Sequence, residues 1–303
     1  MMNNEIRIFL NENNYEIVKI TIKGKVLIVD VGDNIYAIKK RVNNLEELFN
    51  YLKSRTFIYY PNILFKTDNY DIYEYINDVE MPREEKAVDM IKLVAVLHKK
   101  TTFYKDVDEN YYNDIYESIL DEINYLNNYY NDLAEVFERE EFESPSHYLF
   151  IRNITKVLMC LNYARSNLEE WYKIISEKKR IRIVNIHNNL SLSHYLVSDS
   201  SYLISWDKSK KDIPIYDLLK MYKKYYLELD FIELLKCYEL IFPWLIEEKR
   251  LFFCLIFIPP KINFDDKEFK MCQKVREFYD YLDMNLKFMS DYFPSKEKES
   301  TKI

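Results

Sequence analysis

Gly24 and Gly32 are the only glycines in 303 residues, where average usage of about 7% would supply roughly twenty. Glycine takes positive φ freely and lets a backbone approach a ligand closely. A phosphate-cradling loop at a helix N-terminus needs several such positions together. No segment supplies them, so the chain has neither a Walker-type loop nor a dinucleotide-binding fingerprint. The 28 tyrosines, with abundant Ile, Lys and Asn, point to low-GC coding, which accounts for much of the loss.

The rest of the composition is that of an ordinary globular chain, 48% hydrophobic and 31% charged. Its length allows one large domain or two lobes. A net charge of −7 argues against a nucleic-acid partner, which is held through Lys and Arg on phosphates. Cys160, Cys237, Cys254 and Cys272 form no Cys-x-x-Cys pair and read as buried, reduced thiols. No basic-then-apolar leader opens the sequence. The strongest apolar run, Leu251–Ile258, is too short for the roughly twenty residues of a membrane span and reads as a buried helix end. A cytoplasmic protein without a transmembrane segment is expected.

Periodicity changes character along the chain. Glu16–Lys23 alternates, Gly24 marks a turn, and Lys25–Val31 and Ile35–Lys40 read as further strands around Gly32-Asp33-Asn34. Asn43 and Asn44 cap a predicted helix over Leu45–Ser54. Thr56–Tyr60 and Tyr70–Tyr75 complete a five-stranded antiparallel sheet. From Pro82 the period becomes helical: Arg83–Lys99, Asn113–Glu141, Ser146–Lys178, and Ile215 onward. A β-rich island, Ile181–Ile204, interrupts the helices. The layout is α+β: residues 1–76 as a small β-rich lobe, a hinge near Glu74–Asn77, residues 77–294 as a helical lobe with a β-rich segment at 181–217, and a polar tail at 295–303.

The island carries the most information. It reads His187-Asn188-Asn189, then His194, then Ile204-Ser205-Trp206-Asp207, then Asp212-Ile213-Pro214 and Asp217-Leu218. This resembles the catalytic segment of the aminoglycoside-phosphotransferase and choline-kinase superfamily, whose pattern is His-x-Asp-x4-Asn, an apolar strand ending in Ile-Asp-Phe/Trp, then Asp-x-Pro-x-x-Asp-Leu. Ala37-Ile38-Lys39 is similar to the third-strand lysine motif, and Leu93–His98 to the Leu-Ala-x-Leu-His helix. Pro259-Pro260-Lys261 is similar to a segment of the bacterial spore-coat kinase-like branch. The resemblance spans about residues 15–290 and implies a two-lobed protein kinase-like fold.

The resemblance also shows where this chain departs. The base aspartate is replaced by Asn189, whose amide accepts no proton near neutral pH; losing a general base costs about 10²–10⁴ in rate. The metal-ligand positions become His194 and Ser205, a poor match to the oxygen ligands that magnesium prefers. Asp207 is a rescue candidate for a metal, or else a solvated acid beside Lys208 and Lys210. Lys39 would meet nucleotide phosphates and pair with Glu46 or Glu47, or else be a surface lysine on an edge strand. His187 reads as structural, Asp217 as an amide cap or loop anchor, His98 as core and His147 as a helix-start residue. Tyr111–Tyr130 is either an acidic, aromatic acceptor pocket or an ordinary amphipathic helix. The leading reading is a pseudokinase, a binding or scaffold module in the cytoplasm or a spore coat, with an unknown protein or small-molecule partner and no cofactor. The alternative is an ATP- and Mg-dependent phosphotransferase acting on a small hydroxyl-bearing molecule. A helical interaction protein with an accidental likeness stands third.

Overall fold

The computed structural model describes residues 4–108 and 110–292. In chain order the elements are α1 (Asn4–Glu12), β1 (Lys19–Lys23), β2 (Val26–Asp30), β3 (Ile35–Lys40), α2 (Glu46–Ser54), β4 (Ile63–Lys66), β5 (Tyr70–Glu74) and α3 (Arg83–Thr101). Then come β6 (Phe103–Asp106), α4 (Tyr111–Glu138), α5 (Pro145–Ile151), α6 (Ile154–Ile175), β7 (Arg180–Ile186), β8 (Tyr195–Val197), β9 (Ser201–Leu203) and β10 (Lys210–Asp212). Helices α7 (Ile215–Tyr225), α8 (Phe231–Ile241), α9 (Ile246–Phe257) and α10 (Glu268–Tyr292) complete the chain. The class is α+β, with a β-sheet N-terminal region and a helical C-terminal part. The polar tail at 295–303 lies outside the described residues.

Contacts divide the chain into two compact units. One contains the described residues through Thr101 together with His187–Lys210; the other contains Thr102–Ile186 and the described residues from Lys211 on. The division therefore falls after α3, not at the expected 76/77 boundary. The cause is hydrogen bonding within the first unit: Val79 N donates to Val197 O at 2.8 Å and Leu203 N to Tyr59 O at 2.9 Å, so the island's hairpin is bound to the sheet region and its following segments.

In the first unit the sheet order is β1-β2-β3-β5-β4, all pairs antiparallel. Gly24, at φ +58°, sits in the two-residue turn that joins Lys23 to Val26. Alternation along β3 buries Tyr36 and Ile38. Helix α1 covers that face through Ile6, Phe9 and Leu10, which pack with Val29, Tyr36, Ile38 and Ile72. The i, i+3, i+4 spacing of those three residues is the helical signal, in a stretch ahead of the first expected strand, Glu16–Lys23, where the sequence analysis places no element.

The segment Thr56–Tyr60 is not a strand; the fourth strand is Ile63–Lys66. Thr56 takes φ +57° at the end of α2, and Phe57 N donates back to Leu52 O at 2.9 Å. This left-handed helix stop uses the backbone groups that a strand would have paired. Phe57 and Tyr60 are instead buried anchors, Tyr60 stacking on Phe49 at 4.4 Å.

The second unit is mainly helical. Its core lies between α6 and α9, where Val157, Leu161, Leu168 and Trp171 are buried on one helix and Leu251, Phe252, Cys254 and Phe257 on the other. The helix expected over Ser146–Lys178 is two, α5 and α6, separated at residues 152–153. Of the four thiols, Cys160 and Cys254 are buried while Cys237 and Cys272 are half-buried, and none is in a disulfide. Burial pushes the Cys160 thiol up to about 12. No helix among the described residues is long and apolar enough to cross a membrane.

Candidate functional site

The sheet face opposite α1 carries a charged row. Directly opposed residues of antiparallel strands project from the same face, and the register aligns Lys23 with Val26, Val26 with Lys39, Lys39 with Asp71, and Asp71 with Lys66. Lys39 therefore stands on the central strand of the sheet, not on an edge. Its ammonium forms an ion pair with Asp207, both side chains about four-fifths buried. Asp71 is buried and accepts from Arg41 at 2.8 Å. Burial raises the Tyr73 phenol's pKa, and the Asp71 and Asp207 carboxylates raise it further.

Asp207 is delivered by a loop with two residues in the left-handed region. His187 is fully buried; its Nε2 donates to Ile204 O at 2.9 Å, and its ring meets Trp206 edge-on at 4.7 Å. Asn188 follows at φ +61° and donates from Nδ2 to Lys208 O at 2.7 Å. Ser205 adopts φ +67° and ψ +50° and opens the single 3₁₀ turn Trp206–Lys208. Trp206 is buried against Phe49 and Phe57, and Asn43 donates to Asp207 O at 2.7 Å. In a chain so poor in glycine, non-glycine residues hold these corners, at a cost of about 1–2 kcal/mol each.

The remaining positions of the motif are tied into the loop itself. Asn189 Nδ2 donates to Ser205 O at 3.3 Å, and its backbone carbonyl accepts from His194 Nδ1 at 2.7 Å. His194 N also bonds Ser191 O, and Ile204 N bonds His194 O at 2.9 Å. Asn189, His194 and Ser205 are thus brought together with Lys39 and Asp207 in one unit. None of the three brings a carboxylate.

The pairing expected between Lys39 and Glu46 or Glu47 is not formed. Glu46 opens α2, exposed, and pairs with Lys66 at 2.6 Å. The hydrogen bond from Lys66 holds its carboxyl below the ordinary value of 4.5. Glu47, also in the first turn of α2, is exposed. The partner of Lys39 is Asp207, more than 160 residues further along the chain. The Arg41–Asp71 pair was missed from sequence because it depends on β3 lying beside β5.

Among the described residues, no group of three or more His, Cys, Asp or Glu side chains is arranged to hold a metal ion. Magnesium is usually bound through one or two carboxylates, with waters and substrate phosphates completing the octahedron. Here the one carboxylate facing Lys39 from the loop, Asp207, is neutralised by that lysine. His98 is buried within α3, and His147 lies in the first turn of α5, its Nδ1 2.8 Å from Glu140 Oε2. Asp217, in α7 of the other unit, is buried. Helix α4 turns Tyr112, Ile119, Ile123, Leu126 and Tyr130 inward along one face, as an amphipathic helix does.

No protein-family profile matches the sequence, and no curated protein resembles it significantly. Solved structures do match. An aminoglycoside phosphotransferase from Alicyclobacillus acidocaldarius superposes with a TM-score of 0.67 at 9% identity, over 93% of each chain. Spectinomycin phosphotransferase in complex with ADP and spectinomycin gives 0.51 at 12% identity, over 95% of this chain and 99% of its own. The AMP complex of spectinomycin phosphotransferase gives 0.50 at 14%, over 96% and 95%.

Proposed function

Since the chain has the protein kinase-like fold of the aminoglycoside phosphotransferases, we propose that it is a pseudokinase of that fold, a binding or scaffold protein that does not transfer phosphate. What carries the reading is the Lys39–Asp207 pair. The loop offers a single carboxylate to the lysine, and the two charges cancel. Asn189 supplies no base, and its amide hydrogen is engaged with Ser205 O. Three neutral or imidazole side chains at the family's base and metal positions leave a triphosphate's magnesium without an anionic seat. A cytoplasmic or spore-coat setting belongs to the same proposal.

A second reading is favoured by one specific observation. Lys23, Lys39 and Lys66 stand in one row on the sheet face, with Asp207 reaching the central lysine. Such a row suits a polyphosphate, and Asp207 would be the acid nearest to it. That arrangement favours an ATP-dependent phosphotransferase acting on a small hydroxyl-bearing molecule.

Thermal denaturation with ATP, with and without Mg²⁺, separates the two. A ligand at one hundred times its Kd adds about 2.7 kcal/mol of stability, or roughly 5–10 °C for a chain of this size. The pseudokinase reading expects no increment that depends on Mg²⁺. An increment of several degrees that vanishes in Asp207→Asn would sink it. The triple variant Asn189→Asp, His194→Asn, Ser205→Asp is expected to create metal-dependent nucleotide binding.

A further inference from the structure

Helix α1 leaves one edge of the sheet uncovered. Its Ile6, Phe9 and Leu10 pack with Val29, Tyr36, Ile38 and Ile72 on β2, β3 and β5. The same face continues onto β1, where the register sets Ile20 opposite Val29 and Ile22 opposite Leu27. There the apolar side chains stay in water: Ile20 is 41% exposed and Ile22 70%.

The backbone of β1 is open as well. β1 and β4 are the outer strands of the sheet. β4 is broken by a register shift between Ile63 and Phe65, which spoils an edge as a template for another strand. β1 pairs with β2 over all five of its residues without a shift. The two-residue turn at Gly24 makes Lys23 and Val26 a hydrogen-bonded pair. Lys23, Thr21 and Lys19 therefore bond inward, and the N–H and C=O groups of Ile20 and Ile22 point to the open side. Among the described residues no strand pairs with that side. Such an edge is completed by an added strand.

The other face of β1 decides which strand. It carries Lys19, Thr21 and Lys23, all exposed. Lys23 meets the neutral Tyr75 hydroxyl at 3.4 Å, and Asp30, opposite Lys19 on β2, accepts from Gly32 N at 2.9 Å. A second copy of β1 laid antiparallel in full overlap sets Lys19 against Lys23, and like charges directly opposed are unfavourable. An incoming strand with acids at those places gains instead.

We propose that the β1 edge binds an extended segment of a partner protein, apolar at every second residue and acidic between, which adds antiparallel to the sheet. Its apolar side chains lie beside Ile20 and Ile22, its carboxylates beside Lys19 and Lys23, and its backbone pairs with the outward groups of Ile20 and Ile22. The surface gives the binding role proposed above a partner chemistry. It holds whether or not phosphate is transferred, so its test is separate from the ATP measurement.

The probe is a fluorescein-labelled peptide of alternating Glu and Val, titrated with the full chain and followed by anisotropy. Saturable binding is expected. A Lys-Val peptide is expected to bind about tenfold more weakly or worse, and so is the Glu-Val peptide toward the double variant Lys19→Glu, Lys23→Glu. That variant is expected to prefer the Lys-Val peptide. In antiparallel pairing the valine N–H groups face β1, so N-methylation of the valines abolishes binding and N-methylation of the glutamates does not. No saturable binding, or binding that both methylated peptides keep or both lose, would overturn the proposal. Loss on glutamate methylation alone would overturn the antiparallel orientation. A concentration-dependent dimer in sedimentation that the Glu-Val peptide dissociates would mean that a second copy covers the edge, and would overturn the proposal too.

Discussion

The two units hold ion pairs of different construction. In the helical unit Arg182 grips Glu248 with two nitrogens, the two side chains 10% and 4% exposed. The guanidinium also lies 4.2 Å from the Phe242 ring centroid and donates to Pro243 O at 3.0 Å. Glu248 in turn accepts from Leu245 N at 3.0 Å, closing the start of α9. In the sheet unit, Lys39 and Asp207 are each about one-fifth exposed. Asp207 is steered to its lysine by backbone contacts of the loop, and its carboxylate has no second ion-pair partner among those described. The first pair is woven into a helix cap and a ring. The second joins two partly exposed side chains, and water weakens it.

Truncating the buried pair sharpens this contrast most. Glu248→Ala leaves a buried guanidinium uncompensated and frees the Leu245 amide, so a loss of about 3–5 kcal/mol is expected in urea denaturation. A loss below about 1 kcal/mol would show that the two pairs are not different in kind. Asn285 gives the next effect. It is fully buried, donates to Ile256 O at 2.7 Å and accepts from the Tyr222 hydroxyl at 2.6 Å, so it satisfies the last turn of α9 ahead of Pro259 and Pro260. Asn285→Leu strands the Tyr222 hydroxyl, while Ile256 O keeps the Tyr281 hydroxyl at 2.9 Å, and is expected to cost about 1–3 kcal/mol.

The same contrast explains what the sequence disclosed. Strand alternation in Lys19–Lys23 and Ile35–Lys40 and the helical period of α3 are local signals, and they were legible. So was the island, because its residues are contiguous. Helix α1 is short, and its Ile6, Phe9 and Leu10 acquire meaning only against Val29 and Ile72 of the sheet. Thr56–Tyr60 looked like a strand because buried aromatics mark strands and core loops alike. The carboxylate that meets Lys39 was not legible either. Glu46 and Glu47 are near in sequence, whereas Asp207 arrives through a left-handed Ser205 that no residue pattern announces.

Lys39→Ala and Asp207→Ala are each expected to cost about 0.5–1 kcal/mol, the range of partly exposed pairs. The double variant should cost less than the sum of the two. Additive losses would mean that the pair is not coupled and that Asp207 is free to serve another charge.

The smallest effect belongs to Glu46, and it tests which carboxylate serves Lys39. Its pairing with Lys66 lowers its pKa, so any stabilisation is present above its ordinary value of 4.5 and is lost as pH falls through the lowered value. The pair is exposed on both sides, Glu46 at 60% and Lys66 at 35%, and water and salt screen it. Glu46→Gln is therefore expected to leave the melting temperature at pH 7 unchanged within error, and to leave any response to ATP unchanged as well. Lys39→Ala, by contrast, should alter whatever polyphosphate response the wild-type chain shows. If Glu46→Gln altered that response as strongly as Lys39→Ala, Glu46 would be the lysine's working partner in the bound state, and the Lys39–Asp207 pair would be a resting arrangement that ligand exchange undoes.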